Sequence, residues 1–431
     1  MHQGAESIIP YPETQDADGA EWNPADVGDA AKARLCVVSR WFGVRSQVWL
    51  WRQVRLFSRF SPSVLSWTYE NREDYPLDGI PIRLVGTKEE PNVGAGRWLW
   101  RLRGLPSGNL YGSRGMEQRR LMRIVRDMRP SVMLCHFGQV GLRMLPVAER
   151  HQIPIVVHFH GVDISSSLRE RYYRWSLQRN LSRFSAVICV GSHQRRSLIQ
   201  LGMPEDRVHL IPCGVPTGEF LPVRHRDRED VTFICVCRLV RWKGVHHSIA
   251  AFARIAEKLP RARLVIAGDG GELESLRSLA GRLGVAARVE FTGGQPPARV
   301  RELLATSDVF LQHSLTYRNG WCEGFGVSIA EAAASGLPVV VSECGGITEQ
   351  VLDGVTGVVV PEGDVDAMAR AMMTLARQPE LRQRLGQAGR ERMVEQYDTR
   401  SQVRKLEDVL LDALARRRAG GLAPSQSEAI Q

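Results

Sequence analysis

The sequence predicts an α/β protein made of two doubly wound, mostly parallel sheets in succession. Three observations predict it. From residue 34 onward, short, nearly continuous apolar runs alternate with amphipathic helical stretches, the pattern of strands buried on both faces with helices as crossovers. A loop rich in Pro, Gly and charge, Pro212 to Asp230, divides these runs into two series. The 431 residues, 43% hydrophobic and 24% charged, suit two or three domains with real cores.

The first series comprises Arg34-Leu-Cys-Val-Val-Ser39, Ser63 to Tyr69, Ile80 to Val85, Val132 to Cys135, Pro154 to Phe159, Ala186 to Val190 and Arg207 to Ile211. The second comprises Thr232 to Cys237, Arg263 to Ala267, Val289 to Thr292, Val309 to Leu311, Pro338 to Ser342 and Gly357 to Val360. The expected organisation is a disordered leader over 1–30, a first domain over 31–213 and a second over 214–398. A helix over 399–415 follows, packing back on the first domain, and then a disordered tail over 416–431. The leader lacks the basic and apolar segments of a signal peptide, and no apolar run reaches the roughly 18–20 residues that span a bilayer. Export is not expected, and a cytoplasmic location is.

Ligands of such sheets bind at the carboxyl ends of the strands, at a switch in strand order, so two facing domains enclose a cleft. Glu323-Gly-Phe-Gly-Val-Ser-Ile-Ala-Glu331-Ala-Ala-Ala-Ser-Gly336-Leu-Pro338 is the most informative stretch. Gly324 and Gly326 allow close approach of backbone to ligand, and a buried helix should begin near Gly326 or Val327. The amides of Gly324, Phe325 and Gly326, with the helix dipole, suit a diphosphate. Glu331 is the only charge inside that helix; a buried carboxylate needs hydrogen-bond donors, from protein groups or ligand hydroxyls. Glu323, at the mouth, is within reach of a sugar hydroxyl. Arg238 and Lys243, directly after a strand, would neutralise a diphosphate and assist its departure. Gly268-Asp-Gly270 reads as a strand-to-helix turn lining the same site, because it lacks the Lys-Ser/Thr of a phosphate loop.

Taken together, Arg238…Lys243-Gly244, Gly268-Asp-Gly270, Glu323 with Glu331, Gly345-Gly-Ile-Thr-Glu349 and Asp353-Gly-Val-Thr-Gly357 resemble the retaining nucleotide-sugar transferases called glycosyltransferase family 4. The resemblance is specific over 231–365 and looser over 34–213. In the first half, Arg129 to Gly138 and His158-Phe-His160-Gly-Val-Asp163 are similar to members that build bacterial exopolysaccharides of the colanic-acid type. It implies the GT-B fold, two Rossmann-like domains facing across a cleft. It implies that Arg238 and Lys243 contact the donor diphosphate, Glu331 the ribose and Glu323 the transferred sugar, and that His160 lies near the reacting centre. Gly43, His136, Asp163, Gly268, Gly270, Gly324, Phe325, Gly326 and Val327 are then expected at the substrate. No metal or other cofactor is expected, since cations and a helix N-terminus stabilise the leaving phosphate. The implied partners are a nucleotide-diphosphate sugar and a saccharide or lipid-linked acceptor. Departures fall at Cys213 and Pro216, where the family has Asn and Asp, and at Trp41 to Trp49 after the first strand.

Two further classes share some of these features, a sugar-nucleotide epimerase and a non-catalytic, membrane-associated scaffold. The net charge of +10 is concentrated in the first half, where arginines between Arg97 and Arg129 interleave with Trp98 and Trp100. Such a surface is either a solvated face or a contact for an anionic partner; with no nucleic-acid-binding module present, an anionic membrane on the inner face of the plasma membrane is favoured. Asp364-Val-Asp366 opens a helix and reads as an N-cap rather than a metal site. The eight cysteines show no metal-ligand spacing and read as small buried hydrophobes.

Overall fold

The structure is a computed structural model that describes residues 32–86, 105–222, 230–317, 320 and 322–420. The expected leader and the Arg97 to Arg103 cluster lie outside the described residues.

Strands β1 (Ala33–Phe42), β2 (Phe60–Tyr69), β3 (Ile82–Leu84), β4 (Val132–His136), β5 (Ile155–Phe159), β6 (Ala186–Cys189) and β7 (Val208–Leu210) form one sheet. A second contains β8 (Thr232–Val236), β9 (Arg263–Ala267), β10 (Val289–Gly293), β11 (Val309–Gln312), β12 (Val339–Ser342) and β13 (Val358–Val360). Their orders are β3-β2-β1-β4-β5-β6-β7 and β10-β9-β8-β11-β12-β13, and the pairings within both are parallel. Each apolar run singled out from sequence is a strand, displaced at its ends by a few residues. This is the two-sheet GT-B architecture.

The strand order reverses between β1 and β4 in the first sheet and between β8 and β11 in the second. Crossovers leave these points in opposite directions, which opens a crevice at the carboxyl ends of the central strands. Gly43 and His136 lie there in the first lobe, and Arg238 and His313 in the second.

Two crossings of the chain join the lobes side by side. The amide of Val215 donates to the Tyr397 carbonyl at 2.9 Å, and that of Thr399 to the Val215 carbonyl at 3.0 Å. The last helix, Thr399–Gly420, then packs on β4, β5 and the Val48–Val54 helix of the first lobe. Glu407, fully buried, accepts from the amides of Ser58 and Arg59 at 2.6 and 2.7 Å and fixes that helix in place. The helix corrects one expectation: Arg416 to Gly420 continue it instead of beginning a disordered tail. Apolar residues at Val403, Leu406, Leu410 and Ala413 keep its inner face buried up to that last turn.

Candidate active site

The second lobe brings its expected residues to one end of the sheet. Lys243, in a short turn after β8, forms an ion pair with Oε2 of Glu323. Gln312 Nε2, at the end of β11, and Ser314 Oγ, just beyond it, donate to the same oxygen at 3.3 and 3.5 Å. The bonds described for Glu323 all meet Oε2, which leaves Oε1 for a hydroxyl. Arg238 stands exposed at the end of β8, its guanidinium 6.0 Å from the centre of the Trp242 ring. Cys237, between them, senses Lys243, Glu323 and Arg238 electrostatically, though burial dominates and pushes its thiol up to about 11. The Gly268 and Gly270 positions have a steric reason. A Cβ there would sit 1.8 Å from the Cys237 carbonyl and 2.2 Å from that of Leu239, so glycine lets this turn pass beneath the segment carrying Arg238.

The helix beginning at Val327 has no side-chain cap, so its first amides lack intrahelical partners. Gly326 departs from expectation: its amide donates to Gln350 Oε1 at 2.8 Å and is not free for a ligand. Gly324 has a packing role as well. A Cβ on it would lie 2.7 Å from the His160 carbonyl oxygen and 2.8 Å from Gln194 Nε2, because the two lobes meet at this loop.

In the first lobe, Asp163 holds that meeting point. Its Oδ1 accepts from the amides of His160 and Gly161 at 3.0 and 3.1 Å, and its Oδ2 from Gly138 at 3.0 Å. Burial pushes its carboxyl up to about 6 even against those bonds. Through these three amides Asp163 shapes the turn after β5. His136 is withdrawn. It is fully buried, with Nδ1 3.0 Å from His160 Nε2. His160 is only partly buried, and its Nδ1 lies 3.6 Å from Cys213 Sγ. Gly43 closes β1 where a Cβ would strike the Glu70 carbonyl at 1.9 Å.

Glu331 has a partner from the other lobe. Arg52 Nη1 lies 2.7 Å from its Oε1, with the two side chains 3% and 7% exposed. Close by, Arg45 reaches across to the Gly294 carbonyl at 3.2 Å.

Two family profiles cover most of this architecture: Glycosyltransferase Family 4 matches residues 78–219, and Glycosyl transferases group 1 matches residues 219–392. A GDP-mannose-dependent alpha-(1-6)-phosphatidylinositol monomannoside mannosyltransferase of Mycolicibacterium smegmatis is 33% identical over 266 residues, which span 59% of this chain and 69% of the relative. The chain belongs to the group 1 glycosyltransferases. A putative colanic acid biosynthesis glycosyltransferase, WcaL of Escherichia coli, is 30% identical over 60% of this chain and 66% of its own. Among solved structures, Anabaena Alr3699/HepE in complex with UDP and glucose superposes with a TM-score of 0.70 at 19% identity, covering 88% of this chain and all of that one.

Membership in this transferase family displaces the epimerase and scaffold alternatives. Several residues of the glycosyltransferase site escaped the sequence reading. Gln312, the last residue of β11, and Ser314 just after it are buried polar residues whose side chains converge on Glu323 only in three dimensions. Arg52 was not singled out from sequence. Its burial among Trp49, Leu50 and Val54 was the available signal. The N-cap reading of Asp364 is what the structure shows, with Oδ1 accepting from the Ala367 amide at 2.8 Å. The cysteines form no disulfide among the described residues. No described helix is long and apolar enough to cross a membrane.

Proposed function

We propose that this glycosyltransferase moves a sugar, with retention of anomeric configuration and without a metal, from a nucleotide-diphosphate donor to a saccharide or lipid-linked acceptor. The reading places it in cytoplasmic assembly of a bacterial exopolysaccharide or other cell-surface polysaccharide. The single observation that carries it is the pairing of Lys243 with Glu323 beside the uncapped Val327 helix, at the switch point of the second sheet.

Charge develops on the leaving phosphate as the glycosidic bond breaks. Lys243, Arg238 and the helix amides supply positive potential there, and preorganised donors of this kind act most strongly where water is excluded. Glu323 Oε1 orients a sugar hydroxyl, and Glu331 takes the ribose. The acceptor hydroxyl attacks on the face the diphosphate leaves, and the departing phosphate oxygen takes its proton. No enzymic nucleophile is needed. His160 stands near the reacting centre, its backbone abutting Gly324.

The likeness to WcaL and to a mannosyltransferase acting on a phosphatidylinositol glycoside supports a glycolipid or lipid-linked acceptor. An anionic membrane surface fits the exposed Arg119, Arg120, Arg123 and Arg126 of the Gly115–Met128 helix. Binding to anionic but not neutral vesicles, lost when these four become glutamine, is the expected result.

The deciding experiment replaces Arg238 and Lys243 by alanine and measures transfer from an identified donor. Losing one such donor costs about 10²–10³ in kcat, so the double variant should be at least that impaired. Transfer within a few-fold of the parent would refute the phosphate role. Magnesium and manganese should leave the rate unchanged; loss of activity on chelation, restored by either ion, would refute the metal-free step.

A further inference from the structure

We propose that His136, His158 and His160 form a binding site for one transition-metal ion of the zinc class, buried in the first lobe beneath Trp49. The site is separate from the phosphate-binding machinery of the second lobe and does not depend on the function proposed above.

The three rings meet because of strand register. His136 ends β4 directly opposite His158 on β5, and His160 follows two residues later on the same face. One nitrogen from each ring can be chosen so that all lie within 4.8 Å of one another. His136 Nδ1 and His160 Nε2 are already 3.0 Å apart. In a tetrahedral site with bonds of about 2.0–2.1 Å, ligand nitrogens lie about 3.3 Å apart, so one pair is near that spacing and His158 has to come up to about 1.5 Å closer.

A hydrogen bond between His136 and His160 would explain that pair alone. That bond does not involve His158, which is fully buried, touches the Ile211 backbone and keeps at least one ring nitrogen without a hydrogen-bond partner. Buried polar atoms without partners are rare, and an unseen ion is one of the standard reasons for them. A neutral imidazole has a lone pair to offer a metal.

The surroundings suit a metal centre. Trp49 stacks on His160 with ring centres 4.0 Å apart and lies 5.2 Å from the His136 ring, giving a dry, apolar cover. Cys213 Sγ faces the outward nitrogen of His160 at 3.6 Å, where an outer partner fixes the tautomer of a ligand. This is the position at which the family pattern departs to cysteine. Three imidazoles favour zinc, cobalt, nickel or copper over magnesium or manganese, which prefer oxygen.

The test uses the full chain, stripped with a chelator and then titrated with zinc and with cobalt by calorimetry and visible absorption. The expected result is one tight equivalent. His158→Gln should weaken it at least about 100-fold, since even outer partners of metal ligands are worth about 10–100-fold. His246→Gln, in the separate His246–His247–His313 group of the second lobe, should leave it unchanged. Should His158→Gln not fold, zinc-edge X-ray absorption on the parent protein decides instead, with scattering from three imidazoles expected. No saturable binding, binding insensitive to His158→Gln, loss on His246→Gln, or an oxygen-only shell would each overturn the site.

Discussion

The Arg52–Glu331 pair makes the sharpest quantitative prediction, because one carboxylate is claimed by two partners. In the ligand-free chain Arg52 holds Oε1 of Glu331 at 2.7 Å; in the proposed donor complex the ribose hydroxyls bind the same carboxylate. Arg52→Met keeps most of the side-chain volume and the contact with Phe220, whose ring centre lies 5.7 Å from the guanidinium carbon, but removes the charge. Breaking a buried pair by deleting one partner costs about 3–5 kcal/mol. At about 2.1 cal/mol/K per residue, a unit of roughly 400 residues unfolds with an entropy near 0.8 kcal/mol/K, so Tm should fall by about 4–6 °C. Nucleotide binding should move the other way. Ribose hydroxyls would now satisfy a carboxylate that has nothing else, and if only a third of the pair's energy were regained, affinity for a nucleoside diphosphate would rise about ten-fold, since 1.4 kcal/mol is one decade. Thermal shift and calorimetry on the parent and the variant measure both quantities. A variant with lower Tm but equal or weaker nucleotide binding would refute the competition and make Arg52 a donor contact or a purely structural residue.

Three further outcomes follow from the geometry. Gly324→Ala should lower kcat/KM about 100-fold with the circular dichroism unchanged, because its Cβ would lie 2.7 Å from the His160 carbonyl, and a misplacement near 1 Å costs about that much. Glu407→Ala should cost about 3 kcal/mol in urea unfolding by stranding the Ser58 and Arg59 amides, at roughly 1–3 kcal/mol for each unpaired group. His313 sets a pH dependence. Burial, with His247 nearby, pushes its imidazole down to about 4, and its Nε2 accepts from the Gly363 amide at 2.8 Å. Its folded value lies below its unfolded value, so this contribution is whole above about pH 6.5 and is lost as pH falls toward 4, up to about 3 kcal/mol. His313→Asn should therefore show a shallower loss of stability over that window, and an unchanged slope would refute the assignment.

The strands were legible because continuous Val, Ile and Leu runs have one physical use in a chain this size, and the parallel crossovers they require then impose the two switch points. Arg238, Lys243 and Glu323 were legible for a related reason, since charges beside glycines at strand ends have few structural uses. What sequence could not show was which partner a buried charge takes. The rule that Glu331 must find donors held, yet it did not distinguish a ligand hydroxyl from Arg52, which reaches it from the other lobe. Asp163 was expected at the substrate, and the structure shows it binding three amides of its own lobe. An aspartate can bind a substrate or bind three amides, and only the backbone path decides.

The same limit explains the glycines around Glu323. They suggested a bare backbone open to a phosphate. Gly326, however, gives its amide to Gln350, and Gly324 is small because His160 and Gly161 of the other lobe press on it. A glycine therefore marks a close approach without naming what approaches. In a two-lobed enzyme the visitor can be the other lobe, and the two readings are not exclusive: a loop that must both admit a donor and let the lobes meet is held to glycine from each side. If the donor binds as proposed, Gly324 is a point where substrate binding and the meeting of the lobes share one contact, and a side chain added there should disturb that meeting before it disturbs the phosphate.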